Sequence, residues 1–128
     1  YPELVDRLIV WGANLYPSGV KNIAMIPIRI LRKIVDLISK IDIRAKLHSE
    51  KLALVTNEPY ISETELENIH ARTLILGGTH DIIKTEHTRL ISRCIPKAKL
   101  CLIPGGHFIS SRKPKIFNKA VLNFLEEK

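Results

Sequence analysis

The stretch Thr73-Leu74-Ile75-Leu76-Gly77-Gly78-Thr79-His80-Asp81 is an apolar run that ends in a glycine turn and delivers an acid. The pattern recurs at Lys99-Leu100-Cys101-Leu102-Ile103-Pro104-Gly105-Gly106-His107, which delivers a histidine. Short continuous apolar runs of this kind read as strands buried on both faces, as in a parallel sheet. Ligands of open α/β sheets gather outside the carboxyl ends of such strands. Asp81 and His107 are therefore expected together at one sheet edge, an acid followed along the chain by a base. They would be two of the three members of a catalytic triad.

Working outward, Val5 to Val10, followed by Trp11-Gly12-Ala13-Asn14, reads as another buried strand ending in a turn. Tyr16-Pro17-Ser18-Gly19 is a breaker cluster. From Pro27 the spacing becomes helical. Ile30, Ile34, Leu37, Ile38 and Ile41 recur at three- and four-residue intervals, with Arg29, Arg32, Lys33, Asp36 and Lys40 between them. Pro27 suits the first turn of that helix. A second helix is expected from Arg44 to Val55, and Ser62 with Glu65 has capping-box spacing for a short one. A helix from Glu86 to Ile95 should stop before Pro96. Pro114 opens a last helix whose apolar face is Ile116, Phe117, Val121, Leu122 and Leu125. The order β, helical insert, β, α, β, α predicts the α/β class, with about three parallel strands and flanking helices.

The length of 128 residues suits one domain, and 45% hydrophobic with 26% charged residues is a globular composition. The chain carries 20 Lys plus Arg against 13 Asp plus Glu, a net charge of +7. Residues 21–51 concentrate it, with eight basic and three acidic residues. No RNA-binding motif, zinc-finger spacing or poly-basic run accompanies this charge, which argues against a nucleic-acid partner. Cys94 and Cys101 form no disulfide framework and read as small apolar residues on a helix and a strand. A reducing compartment, the cytoplasm, is expected. No apolar run reaches membrane-spanning length.

Four segments together resemble the C-terminal half of an α/β-hydrolase. Pro2-Glu3-Leu4-Val5-Asp6-Arg7-Leu8-Ile9-Val10 resembles the family's entry into its sixth strand. Leu74-Ile75-Leu76-Gly77-Gly78-Thr79-His80-Asp81-Ile82-Ile83 resembles the seventh strand and acid loop. Ile95-Pro96-Lys97-Ala98-Lys99-Leu100 leading to Gly105-Gly106-His107-Phe108 is similar to the eighth strand and histidine loop. Phe117-Asn118 and Val121-Leu122-Asn123-Phe124-Leu125 resemble the closing helix. The resemblance implies a partial α/β-hydrolase fold over residues 1–128, with 20–56 as a helical cap insert. It implies Asp81 and His107 as the catalytic acid and base. Ile83 and Phe108, which follow them along the chain, would either line an apolar substrate pocket or seal the core beneath a loop.

The family's order of nucleophile, acid and histidine requires a Gly-x-Ser-x-Gly elbow upstream of both. No such elbow occurs here; Pro17-Ser18-Gly19 lacks the first glycine. The resemblance therefore implies a C-terminal fragment of a serine-type, esterase-like hydrolase, inactive as an isolated chain and needing no cofactor. The alternative is a non-catalytic interaction domain derived from that fold. The non-Met start and the missing elbow suggest a truncated or proteolytic product, or a chain that covers its open sheet edge with a second copy. Expected partners are a small-molecule substrate and either the missing N-terminal half or that second copy. His80, Asp81 and His87 could suggest a metal site, but their spacing fits no compact zinc pattern, so none is expected. For the basic amphipathic helix, a cap over an apolar substrate ranks first, plain packing on the core second, and an anionic membrane surface last.

Overall fold

Strand β2 (Arg72–Gly78) is the middle of a three-stranded parallel sheet, with β1 (Arg7–Trp11) on one side and β3 (Ala98–Ile103) on the other. The computed structural model describes residues 2–41 and 43–127; Tyr1 and Asp42, both used in the sequence reading, lie outside the described residues. Helices α1 (Asn22–Ile38), α2 (Ile43–Asn57) and α3 (Glu63–Glu67) connect β1 to β2. Helix α4 (Thr85–Cys94) connects β2 to β3, and α5 (Ile109–Arg112) and α6 (Pro114–Glu126) follow.

The alternation of side chains across β2 divides the core. Ile75 faces Leu15, Leu66, Ile91 and Ile95, the last two at and just beyond the end of α4. Leu74 and Leu76 face Ile103, Ile109 and Phe124 on the opposite side. The register places Val10, Ile75 and Leu100 in one row and Trp11, Leu76 and Cys101 in the next. Each fully buried side chain of this size stabilises the fold by roughly 1.5–3 kcal/mol. The residues of β2 from Thr73 to Gly78 are all buried, whereas β1 is half-buried throughout. That difference is what a central strand and an edge strand require.

Several expected boundaries shift for local reasons. The strand predicted from Val5 begins only at Arg7, because Pro2–Leu4 form a 3-10 turn closed by a hydrogen bond from Val5 N–H to the Pro2 carbonyl. The Ser62 capping box is present, its hydroxyl accepting from Glu65 N–H while the Glu65 carboxylate accepts from Ser62 N–H. Pro27, expected in a first turn, sits inside α1, which starts five residues earlier at Asn22. Tertiary packing outweighs the proline there. Met25 is almost wholly buried against Val20 and Ile83, and Lys21 N–H donates to the Ile82 carbonyl. Pro27 then removes a single hydrogen bond, that to the Ile23 carbonyl, close to the exposed helix start.

The last helix opens at Pro114 but buries a different stripe. Phe117, Ala120, Val121 and Phe124 face the sheet, while Ile116, Leu122 and Leu125 are exposed. On a 3.6-residue period, Ile116 and Leu125 flank the Phe117–Phe124 line and Leu122 lies behind it. The helix end is clamped to the strand starts. Arg7 donates to the carbonyls of Leu125 and Glu127, and Arg72 to that of Glu127, at 2.8–2.9 Å. Guanidinium groups at a helix C-terminus satisfy its orphan carbonyls and oppose its negative dipole end. Cys94 and Cys101, on α4 and β3, are half-buried free thiols whose pKa burial pushes up.

The stripe of α1 is likewise not where plain core packing would place it. Arg32 donates to Thr56 Oγ1 and Asn57 Oδ1, and Ser49 donates to Asp36, so α1 meets α2 through its polar side. Ile30, Ile34, Leu37, Ile38 and Ile41 are left exposed.

The segment after β1 is held by His87. Its Nε2 accepts from Leu15 N–H at 2.9 Å, and Tyr16 meets its ring edge-on at 4.6 Å. Burial, reinforced by Lys84 and opposed by Glu63, lowers the affinity of this imidazole for a proton. The unfolded chain therefore binds a proton more readily than the folded one, so stability is complete above pH of about 6.5 and declines as pH falls below it. Urea titrations across pH 8 to 5 should show this decline, and it should be smaller in His87→Gln. His87→Ala should cost about 1–3 kcal/mol at pH 8 by leaving Leu15 N–H buried and unpaired.

Candidate active site

Asp81 follows β2 in a tight turn in which its N–H bonds the Gly78 carbonyl. Its side chain is 2% exposed. Oδ1 accepts from Ile83 N–H at 3.1 Å, the local acceptance that favours Asp at turns, and Oδ2 reaches Gly78 N–H at 3.5 Å. The loop after β3 is fastened to this turn by backbone bonds. Thr79 N–H donates to the Ile103 carbonyl and His80 N–H to that of Gly105, at 3.0 and 2.8 Å. The two loops are so close that a Cβ on Gly78 would lie 2.4 Å from the Gly105 carbonyl oxygen. Only glycine fits there.

This fastening carries His107 to Asp81. Nδ1 of His107 lies 2.8 Å from Asp81 Oδ1, joining the residues that sequence alone placed at neighbouring strand tips. A carboxylate oxygen accepts, so Nδ1 is the donor in this pair. Among the described residues no hydrogen bond engages Nε2. The ring is stacked on Trp11, at a centroid distance of 5.8 Å and an interplanar angle of 25°, and Phe108 meets its edge at 5.5 Å. Gly12, at φ +61°, leaves the space that the imidazole fills; a Cβ there would lie 2.8 Å from His107 Cε1.

His107 forms part of the wall of a cavity of about 410 Å³. Val20, Met25, Ile28 and Ile83 supply its apolar side, and Asn14 and Glu58 its polar groups. Ile83 is buried at this wall, whereas Phe108 is 62% exposed and lies outside the lining. None of the described lining residues carries a hydroxyl or thiol. His80 and His87 do not converge with Asp81. His80 Nδ1 pairs with Thr79 Oγ1 and His87 with Leu15, and no group of three ligating side chains occurs among the described residues. Trp11, Gly12, Asn14 and Glu58 were not singled out as site residues in sequence. The rule that found Asp81, a glycine turn closing a strand, applies equally to Trp11-Gly12 and places them at the same edge; Glu58 carries no such signal.

No family model and no curated protein matches the sequence. Solved structures do match in three dimensions. A hydrolase from Pseudomonas aeruginosa superposes with a TM-score of 0.68 at 18% identity, over 98% of this chain and 57% of that one. The meta-cleavage product hydrolase of Pseudomonas fluorescens gives 0.66 at 21%, over 98% and 57%. An α/β-hydrolase enzyme from a sediment metagenome of the Mar Chica lagoon gives 0.67 at 22%, over 98% and 52%. The chain carries part of the α/β-hydrolase fold. It spans a little over half the length of these three structures. In this part of the fold, the three parallel strands and their flanking helices hold Asp81 and His107.

Gly12→Ala should displace the imidazole, since the added methyl would lie only 2.8 Å from Cε1 and also meet a strained backbone, at a cost of about 1–2 kcal/mol. The measurement is the downfield Nδ1 proton resonance of His107. It should be present in the parent chain and lost or shifted in Gly12→Ala.

Proposed function

We propose that this chain provides the acid and base of a serine-type hydrolase that cleaves esters of small, apolar acyl groups. The observation that carries the reading is the 2.8 Å bond between Asp81 and His107 Nδ1, with His107 in the wall of a mostly apolar cavity. With Nδ1–H bound to the carboxylate, Nε2 is the nitrogen that takes the proton from an attacking serine hydroxyl as it adds to the ester carbonyl. Asp81 stabilises the resulting imidazolium, which returns that proton to the departing alkoxide. Water, activated by the same nitrogen, then releases the acid and regenerates the serine.

The serine and its oxyanion donors belong, on this reading, to an N-terminal half that completes the sheet beside β1. Residues 20–56 form the cap, with Val20, Met25 and Ile28 covering the acyl chain and Ile83 beneath it. Phe108 braces the imidazole edge. The free thiols Cys94 and Cys101 support a cytoplasmic setting. A non-catalytic interaction domain is the second reading. It is favoured by the lack of any hydroxyl or thiol among the described lining residues.

The two readings separate in one experiment. The isolated chain should not hydrolyse p-nitrophenyl esters above the buffer rate. The longer reading frame containing it should do so, and His107→Ala or Asp81→Asn should reduce kcat by about 10³–10⁴-fold, the latter by presenting the wrong tautomer. A longer frame without an elbow serine, or activity indifferent to His107→Ala, would overturn the hydrolase reading.

A further inference from the structure

Helix α1 turns its apolar side outward. Ile23, Ile26, Ile30, Ile34 and Leu37 recur at three- and four-residue intervals and are 80%, 54%, 55%, 52% and 65% exposed. They form one continuous stripe along a helix about 25 Å long. The opposite side of α1 is already engaged: Met25 and Ile28 pack with Val20 and Ile83, while Arg32 and Asp36 bond to α2. The stripe is therefore not a core face waiting for a small rotation. An exposed apolar surface of this extent and regularity marks an interaction site.

Charge selects the partner. Arg29 and Lys33 are exposed and lie along one flank of the stripe, with exposed Lys40 in the turn just past the helix, within a segment that has eight basic and three acidic residues. A second copy of the chain would bring the same positive excess against itself. An anionic lipid surface neutralises that excess and receives the isoleucines below the headgroups, the arrangement of interfacial amphipathic helices. Among the described residues no helix is long and apolar enough to cross a membrane, so α1 would lie along the surface. Sequence alone ranked this last because the stripe was expected to be covered.

We propose that α1 docks this protein onto anionic membrane surfaces through the Ile23–Leu37 stripe and its basic flank. This does not rest on the hydrolase reading. The test is co-sedimentation with vesicles of phosphatidylglycerol and phosphatidylcholine, against vesicles of phosphatidylcholine alone. The chain should bind the anionic vesicles at least about tenfold more strongly, and less so at raised salt. Ile30→Glu/Ile34→Glu, Leu37→Glu and Arg29→Glu/Lys33→Glu should each weaken binding by about tenfold or more. All five positions are exposed, so circular dichroism should show an unchanged fold. Failure to bind anionic vesicles overturns the proposal. So does binding lost only in the charge variant, which would be electrostatic attraction without helix insertion. Sedimentation velocity without lipid adds a third arm: a dimer dissociated by Ile30→Glu/Ile34→Glu would assign the stripe to a second copy and also overturn it.

Discussion

A carboxylate withdrawn from water must be surrounded by donors, and Asp81 organises the sheet edge through that demand. Its oxygens accept hydrogen bonds from Ile83 N–H, from Gly78 N–H at longer range and from His107 Nδ1. Each donor belongs to a segment that must consequently be held still. Ile83 is bridged to Val20, Lys84 N–H donates to Gly19, and the β3 loop is pinned to the β2 loop through Thr79 and His80. Three loops after three strands are thereby tied around one side chain.

Two buried or half-buried histidines show how the same ring serves opposite ends. In His87, Nε2 is occupied by a main-chain donor, so the ring is a fixed acceptor that anchors the segment after β1. In His107, Nδ1 is occupied by a carboxylate, and among the described residues no hydrogen bond holds the other nitrogen. The partner of the first nitrogen decides what the second can do.

The parts of the fold legible in sequence are those determined by short-range pattern. The apolar runs at 73–77 and 99–103 are strands because β2 and β3 bury such side chains, and the Ser62–Glu65 box closes within one turn. What was misread depended on distant partners. Periodicity identifies the stripes of α1 and α6 but not which way they turn. Phe124 and the Arg7 clamp orient α6, and the α2 polar contacts orient α1. Pro27 was misplaced because a burial anchor at Met25 outweighs one lost hydrogen bond. At the site, Asp81 and His107 were legible from glycine turns that punctuate strands, whereas Glu58 reaches the cavity from an irregular connection with no pattern of its own.

The contact between the β2 and β3 loops has a consequence for how such a protein could evolve. The span from Gly78 to His107 contains both loops, the helix between them and the three donors to the acid named above. The carboxylate–imidazole pair is thus assembled from one short, contiguous stretch of chain. A gene rearrangement that exchanges everything before β1 would leave that stretch intact. Whatever was joined in front of β1 would then meet the same carboxylate–imidazole geometry.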